Sequence, residues 1–405
     1  MSLRTLLVTM PPDARRIVLV QFLTSLGYFS IIPFFVIYLV RFLGYSPSFA
    51  ASQLTLFLVG QYSGSFVGAY LSHRKGPLLT MKVGLVLQIS TYVLFAAGLS
   101  SALALSLLSF SLGVSKAFFT PASKAALVGL TPGDNHYLLF SFRSTVNNLG
   151  VALGSCLGAA LIEQAAATVF IFAAAIQCLA LWILAAVRQR SGNTSAHKPN
   201  SVKFGAAVGS ILRTPLAVIL MIVSLCYQFH YIQLEYSFPL IADHNWGTDS
   251  VAHVFWVNAA TVMLLQLPFN TWLSKKISVY RTLVLGFGCM VLAFWLIAEL
   301  PAKGFFLFGI LLFTVGEITI DPAIDSLLSK RVSVDLLPVG FGLLGLMGLL
   351  GSVAGNAAAS LYAGSGDFTH FWYVNASLAA LAIVLIGFYR KQDTVVLKDS
   401  HYGHP

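Results

Sequence analysis

Residues 113–124 read GVSKAFFTPASK, and residues 316–325 read GEITIDPAID. Aligned on Pro121 and Pro322, the two stretches set Lys116 opposite Glu317, Thr120 opposite Asp321 and Lys124 opposite Asp325. Both lie inside long apolar runs. A charged side chain inside a bilayer costs several kcal/mol, so one that is retained there points to function. Opposite charges at matched places in two helices imply a polar pathway at the interface of two repeats. Such a pathway is what a membrane transporter needs.

The remaining sequence suits a lipid solvent. Of 405 residues, 57% are hydrophobic and 9% are charged, against roughly 25% charged in soluble domains. Twelve apolar runs fall at 16–42, 49–71, 78–99, 101–128, 137–163, 167–187, 214–242, 251–273, 281–300, 304–329, 337–363 and 368–389. Each reaches the ~20 residues that cross a ~30 Å hydrocarbon core; they are numbered spans 1 to 12. The expected fold is an all-α membrane protein of 12 transmembrane helices in two pseudo-symmetric six-helix bundles. An N-terminal half (1–187) and a C-terminal half with a cytoplasmic tail (214–405) flank a polar cytoplasmic linker (188–213).

The net charge of +10 would suit a nucleic-acid surface if it were gathered in one patch. With the N-terminus cytoplasmic, however, 21 of the 24 Lys and Arg fall on the cytoplasmic side, Arg41 and Lys303 fall outside, and Lys116 lies within the membrane. This is the positive-inside bias. It predicts a multi-pass protein of the inner (cytoplasmic) membrane with both termini in the cytoplasm, and no nucleic-acid partner. The first apolar run is too long for a cleavable signal peptide. The cysteines at 156, 178, 226 and 289 lie in spans without paired spacing and read as small packing residues. No phosphate loop, metal-ligand cluster or nucleophile constellation stands out, so neither a cofactor, a metal nor an enzymatic activity is expected.

Further matches support duplication. AYLSHRKG (69–76) after span 2 corresponds to TWLSKKIS (271–278) after span 8, GSCLGAAL from Gly154 to GSVAGNAA from Gly351, and SIIPFFVIYL around Pro33 to SFPLIADH around Pro239. Gly150, Gly154 and Gly158, like Gly351 and Gly355, recur every four residues and make a flat helix face. Such a face admits another backbone closely, as tight packing or as a hinge.

The loop after span 2 resembles G-x-L-x-D-R-x-G-R-[RK], the signature of the major facilitator superfamily, and the resemblance covers essentially the whole chain. Leu71, Arg74 and Gly76 match it, while Ala69, His73 and Pro77 depart from it. The resemblance implies that residue 73 helps latch the halves on the cytoplasmic side. With His in place of Asp the latch is weaker or answers to pH, or His73 is simply a polar residue at a helix end. Span 5 is similar to the antiporter motif G-x-x-x-G-P-x-x-G-G through Gly150, Gly154 and Gly158, with Ser155 and Ala159 as departures. Arg143, Asn147 and Gly150 match the R-x-x-x-N-x-x-G arrangement of twelve-span drug:proton antiporters, whereas Phe110 stands where many of them carry Arg.

The family architecture implies a central cavity lined by spans 1, 4, 7 and 10. Glu317 and Asp321 are one helical turn apart and are the candidates for proton coupling. Lys116, Tyr227, Tyr231, Gln233, Glu235 and Asn258 are the candidates for substrate binding. His73, Arg74, Gly76, Arg143, Gly154, Gly158, Gly351 and Gly355 are the candidates for gating. Lys116 and Glu317 are expected to face each other across the cavity, Glu317 titrating or pairing with Lys116. Lys124 and Asp325 are expected at the cytoplasmic rim. His230 reads as a hydrogen-bonded core residue. The expected activity is proton-coupled efflux of a small organic, anionic or zwitterionic, compound by a monomer in the bilayer. A proton-coupled importer of a sugar or organic acid is the alternative. A non-transporting sensor or a lipid scramblase is the rival from another class.

Overall fold

The computed structural model describes residues 10–131, 136–187, 203–247, 249–300, 302–363 and 368–402. Among these residues every regular element is helical. The N-terminal half contains Pro12–Phe29 (span 1), Pro47–Lys75 (span 2), Pro77–Ala96 (span 3), Ala102–Leu130 (span 4), His136–Gln164 (span 5) and Ala166–Ala185 (span 6). The C-terminal half contains Pro215–Tyr231 and Ser237–Trp246 (span 7), Asp249–Lys276 (span 8), Val279–Glu299 (span 9), Lys303–Arg331 (span 10), Leu337–Ala363 (span 11) and Thr369–Tyr402 (span 12). A short helix, Phe204–Leu212, lies within the region expected to be linker.

Ten of these helices are long and apolar enough to cross a membrane. The other two, spans 2 and 8, are as long, at 29 and 28 residues, and occupy equivalent positions in the two halves. The prolines divide the spans into two kinds. Spans 1 and 7 break at matched places into 3-10 turns, Ile32–Phe34 and Ile232–Leu234. A proline removes a backbone donor and crowds the preceding turn; Pro33 lies in the first break, and Pro239 is the third residue of the helix that follows the second. Spans 4 and 10, by contrast, run on as helix through Pro121 and Pro322.

The glycine stripes seat helices within each half. A side chain at Gly150 would meet the Phe22 carbonyl at 2.7 Å, and one at Gly154 or Gly158 would overlap the carbonyl of Leu26 or Ser30. Span 5 therefore rests directly on the span 1 backbone. Span 11 repeats the arrangement on span 7: Gly351 abuts Leu225, and Gly355 lies against the Phe229 carbonyl, where an added Cβ would sit at 2.7 Å. Gly76 ends span 2 at φ +92°, a conformation open to glycine at little cost.

The core is unequal between the halves. The C-terminal half has one continuous apolar cluster, whereas the N-terminal half has two. Between those two lies a belt of buried polar side chains, among them Thr24, Ser25, Gln88, Thr91, Ser115 and Gln177. The C-terminal cluster also takes in Ala125, Val128, Tyr137 and Phe140 from spans 4 and 5. These residues lie near the end of the molecule where the described chain leaves span 6 at Val187 and resumes at Lys203, termed the linker face. Apolar continuity between the halves thus occurs at one end of the molecule.

Candidate functional site

The contacts that cross between halves follow the same geometry. Span 2 packs on span 11, span 4 on span 11, and span 5 on spans 8 and 10. At the linker face Lys124 Nζ lies 2.5 Å from Asp325 Oδ2, and His136 Nδ1 bonds the Ser329 hydroxyl at 2.8 Å. Tyr137 donates to Asn270 Oδ1 at 2.8 Å, and Asn270 donates to Ser141 Oγ at 3.1 Å and to the Ile318 carbonyl at 2.7 Å. Deeper in, Asn148 donates to Gln266 at 3.3 Å. The halves are therefore clasped from the linker face to about mid-depth.

Above this clasp lies a cavity of about 150 Å³. Ser144, Asn147 and Asn148 of span 5, Tyr227, Gln228 and Tyr231 of span 7, Gln266 of span 8, and Glu317, Ile318 and Asp321 of span 10 line it. Two carboxylates and four amides therefore share the wall with two tyrosine rings, whose centroids are 6.0 Å apart. Glu317 Oε2 accepts a hydrogen bond from Asn258 at 2.8 Å, and Asn258 also donates to Thr314 at 3.1 Å. Asn258 thus orients the carboxylate and does not itself line the cavity. Asp321, one turn along, has neither a hydrogen bond nor an ion pair among the described residues.

An amide chain reaches this wall from the N-terminal half. Arg143 donates to Gln21 Oε1 at 2.7 Å and to Ser123 at 3.1 Å. Gln21 donates to Asn147 at 2.9 Å, Ser25 donates to the same oxygen at 2.7 Å, and Asn147 reaches Asn148 at 3.4 Å. With the Asn148–Gln266 bond the chain spans both halves. Arg143 also lies within electrostatic reach of Asp321 and Asp325.

The expected residues separate into groups. Tyr227, Tyr231, Glu317 and Asp321 come together on the cavity wall. Lys116 does not join them: its ammonium sits 3.8 Å from the centroid of Tyr28 and 5.2 Å from that of Phe29, inside its own half. Among the described residues it forms no ion pair with Glu317. Lys124 and Asp325 do pair across the halves, because the halves approach each other at the linker face and stand apart above it. Gln233 is fully buried; it donates to the Phe229 carbonyl at 2.8 Å and accepts from Ser237, bracing the break in span 7. Glu235 is exposed, within electrostatic reach of Tyr28 and Tyr62. His73 lies 3.4 Å from the Asp335 carbonyl across the halves, while Arg74 is exposed over Tyr70. His230 is bonded to Asn375 at 3.0 Å in the C-terminal core.

Gln21, Asn147, Asn148 and Gln266 carry more of the site than the sequence assigned to them. Their signal was available: each is an amide inside an apolar run, where it needs a partner.

Two helical halves clasped at one face beneath a polar cavity define a membrane transporter of small molecules. A family model of the Major Facilitator Superfamily matches residues 17–335 and 238–401. The chain belongs to that superfamily. It is 25% identical over 370 residues to the uncharacterized MFS-type transporter YqjV of Bacillus subtilis (strain 168), covering 89% of each chain. It is also 25% identical over 319 residues to the multidrug resistance protein MdtH of Yersinia pestis (strain Pestoides F), covering 75% of each. Among solved structures, it resembles a bacterial homologue of the iron transporter ferroportin in an outward-facing state, with a TM-score of 0.77 at 14% identity. That likeness covers 94% of this chain and 100% of the other.

Proposed function

We propose that this transporter is a proton-coupled antiporter of the inner membrane that exports a small zwitterionic or anionic organic compound, with both termini in the cytoplasm. The observation that carries the proposal is the Glu317–Asp321 pair: two carboxylates one turn apart on a cavity wall, one held by Asn258 and the other without a hydrogen bond or ion pair among the described residues. Burial disfavours the charged form of a carboxyl group, and a second carboxylate nearby adds to that effect. Such a pair can take up a proton from the open side of the cavity and give it up on the other. The linker-face clasp matches an outward-open state on this orientation, so the pair is open to the outside when the proton is needed.

Export then follows from competition. Protonation on the outer side neutralises the wall and weakens its hold on a cationic group of the substrate, which leaves. The proton-loaded protein reorients and releases its proton to the cytoplasm, restoring the charged wall for the next molecule. Lys116, although it does not line the cavity in this conformation, favours a substrate that also carries an anionic group if reorientation of the halves brings it to the site. Its ammonium rests on two aromatic rings without an acidic partner among the described residues, and cation–π contact leaves most of its donors unused. The name of MdtH, a multidrug resistance protein, supports the outward direction.

The test is flux in liposomes under an imposed pH gradient, with labelled amino-acid-like, carboxylate and cationic compounds, comparing wild type with Glu317→Gln. Gradient-driven flux that the substitution abolishes is expected. Flux indifferent to both the gradient and the substitution refutes the coupling.

A further inference from the structure

The amide chain behind the cavity has a direction. Arg143 can only donate hydrogen bonds, so the Gln21 oxygen accepts from it at 2.7 Å, and the Gln21 nitrogen is left to donate to Asn147 Oδ1 at 2.9 Å. Ser25 donates to that same oxygen at 2.7 Å. Asn147 therefore turns its nitrogen to Asn148 Oδ1 at 3.4 Å, and Asn148 turns its own to Gln266 Oε1 at 3.3 Å. Each amide accepts on the Arg143 side and donates on the far side. The last group in the row is Gln266 Nε2, which has no hydrogen-bond partner among the described residues. Gln266 is 1% exposed, yet it lines the cavity that Glu317 and Asp321 share. A buried amide nitrogen left without an acceptor is unfavourable.

Bond lengths of about 1.23 and 1.33 Å put the oxygen and nitrogen of one amide about 2.2 Å apart. With Asn148 Nδ2 at 3.3 Å from Gln266 Oε1, the two amide nitrogens are at most about 5.5 Å apart. A single oxygen about 2.9 Å from each can bridge them, taking one hydrogen bond from each half of the protein. Hydrogen bonds in a row polarise one another, so the charge of Arg143 strengthens the final donor. This end of the row suits an anionic oxygen, while Asp321, on the same cavity wall and without a partner among the described residues, suits an ammonium group. We propose that Asn148 and Gln266 bind the carboxylate of an amino-acid-like zwitterion whose ammonium lies against Asp321. Arg143 is then the positioning residue that, through Gln21 and Asn147, turns the Gln266 nitrogen into the cavity. In this conformation the anionic end of the substrate is met by amides and not by Lys116, which lies inside its own half. The proposal rests on the reading of this cavity as the transport site and names its substrate class.

Equilibrium binding to the purified full chain in nanodiscs tests it, with labelled α-amino acids and the amines that lack only their carboxylate as paired probes. Wild type is expected to hold at least one amino acid more tightly than its amine by about ten- to a hundredfold, the contribution of a hydrogen bond to a charged group. Gln266→Met keeps the length of the side chain without its donor and should bring that ratio close to one. Arg143→Gln leaves the amides able to turn over and should lower the ratio, whereas Arg143→Lys, which still only donates, should keep most of it. Asn147→Leu interrupts the row without touching Arg143 and should lower the ratio too, so the test survives if Arg143→Gln does not fold. The ratio separates positioning from structure, because a general loosening weakens acid and amine alike. Equal affinity for acid and amine in wild type, or binding of neither, overturns the proposal, as does a ratio that Gln266→Met leaves unmoved. A ratio that survives both Arg143→Gln and Asn147→Leu overturns the role given to Arg143. Proton coupling is judged separately, by gradient-driven flux in Glu317→Gln, so the two readings fail by different results.

Discussion

Replacing Asp325 with Asn should open the linker face. Asp325 is 3% exposed, and Lys124 lies 2.5 Å away in the other half. Removing one partner of a buried ion pair costs about 3 to 5 kcal/mol, because the survivor is left charged and poorly solvated. Here that cost falls on a conformation and not on the fold, since separating the halves exposes Lys124 to water. A clasped population of about 99% falls to about one half when the clasp loses about 2.7 kcal/mol. Asp325→Asn should therefore bring the clasped state to half occupancy or below. Lys124→Gln should do less, because Arg143 lies within electrostatic reach of the Asp325 that remains. In Asp325→Asn, by contrast, Lys124 keeps among the described residues only the Phe341 ring, 5.7 Å away. Spin labels at exposed Lys75 and Lys276, in opposite halves, report the opening as a longer distance. The charge exchange Lys124→Asp with Asp325→Lys should recover much of the closed distance. If Asp325→Asn leaves the distance unchanged, or Lys124→Gln opens the protein more, the clasp has been assigned to the wrong residues.

Other substitutions probe the same arrangement. Tyr137→Phe removes one donor to Asn270 and should weaken the closed state by about 1 kcal/mol, visible as a small shift in the same label distances. Glu317→Gln should leave substrate exchange measurable while removing its response to an imposed pH gradient, because the Gln amide cannot release a proton. Flux into right-side-out vesicles loaded with substrate distinguishes the two. Gly154→Val puts side-chain carbon into the Leu26 carbonyl and should cost about 1 to 3 kcal/mol of stability, lowering the melting temperature in detergent. The control is Gly205→Ala, where an added Cβ meets nothing within 4 Å and the melting temperature should not fall by a comparable amount.

The duplication could be read from the chain because its markers are local. A proline, a four-residue glycine spacing and an embedded charge each keep their meaning wherever the halves sit. The two glycine-seated helix pairs, span 5 on span 1 and span 11 on span 7, therefore fall where the four-residue glycine spacing repeats. The pairing of charges could not be read in this way. Lys116 with Glu317 and Lys124 with Asp325 are equally matched in the repeat alignment, and helical periodicity puts the members of each set on one face. What decides between them is the tilt of one half against the other. With the halves together at the linker face, the Lys124–Asp325 pair is buried, and the deeper charges take partners in their own halves, Tyr28 for Lys116 and Asn258 for Glu317.

That division reflects what lipid allows. In a bilayer, exchanging helix–lipid for helix–helix contact between apolar faces gains little from the hydrophobic effect, so close backbone packing and polar contacts hold helices together. This protein uses close backbone approach mainly within its halves: span 5 on span 1, span 11 on span 7, and span 2 on span 4, where Gly60 abuts Phe110. Across the halves it relies on an ion pair, a histidine–serine bond, Tyr137 with Asn270 and the amides of Asn148 and Gln266. A carbonyl seated in a glycine groove has no comparable partner once the helices part. An amide or carboxylate that leaves its partner for a water-filled cavity exchanges one hydrogen bond for another at a net cost of about 1 kcal/mol. Rigid halves and a clasp that water can replace together keep two arrangements within a few kcal/mol of each other, the range in which a bound ligand can choose between them.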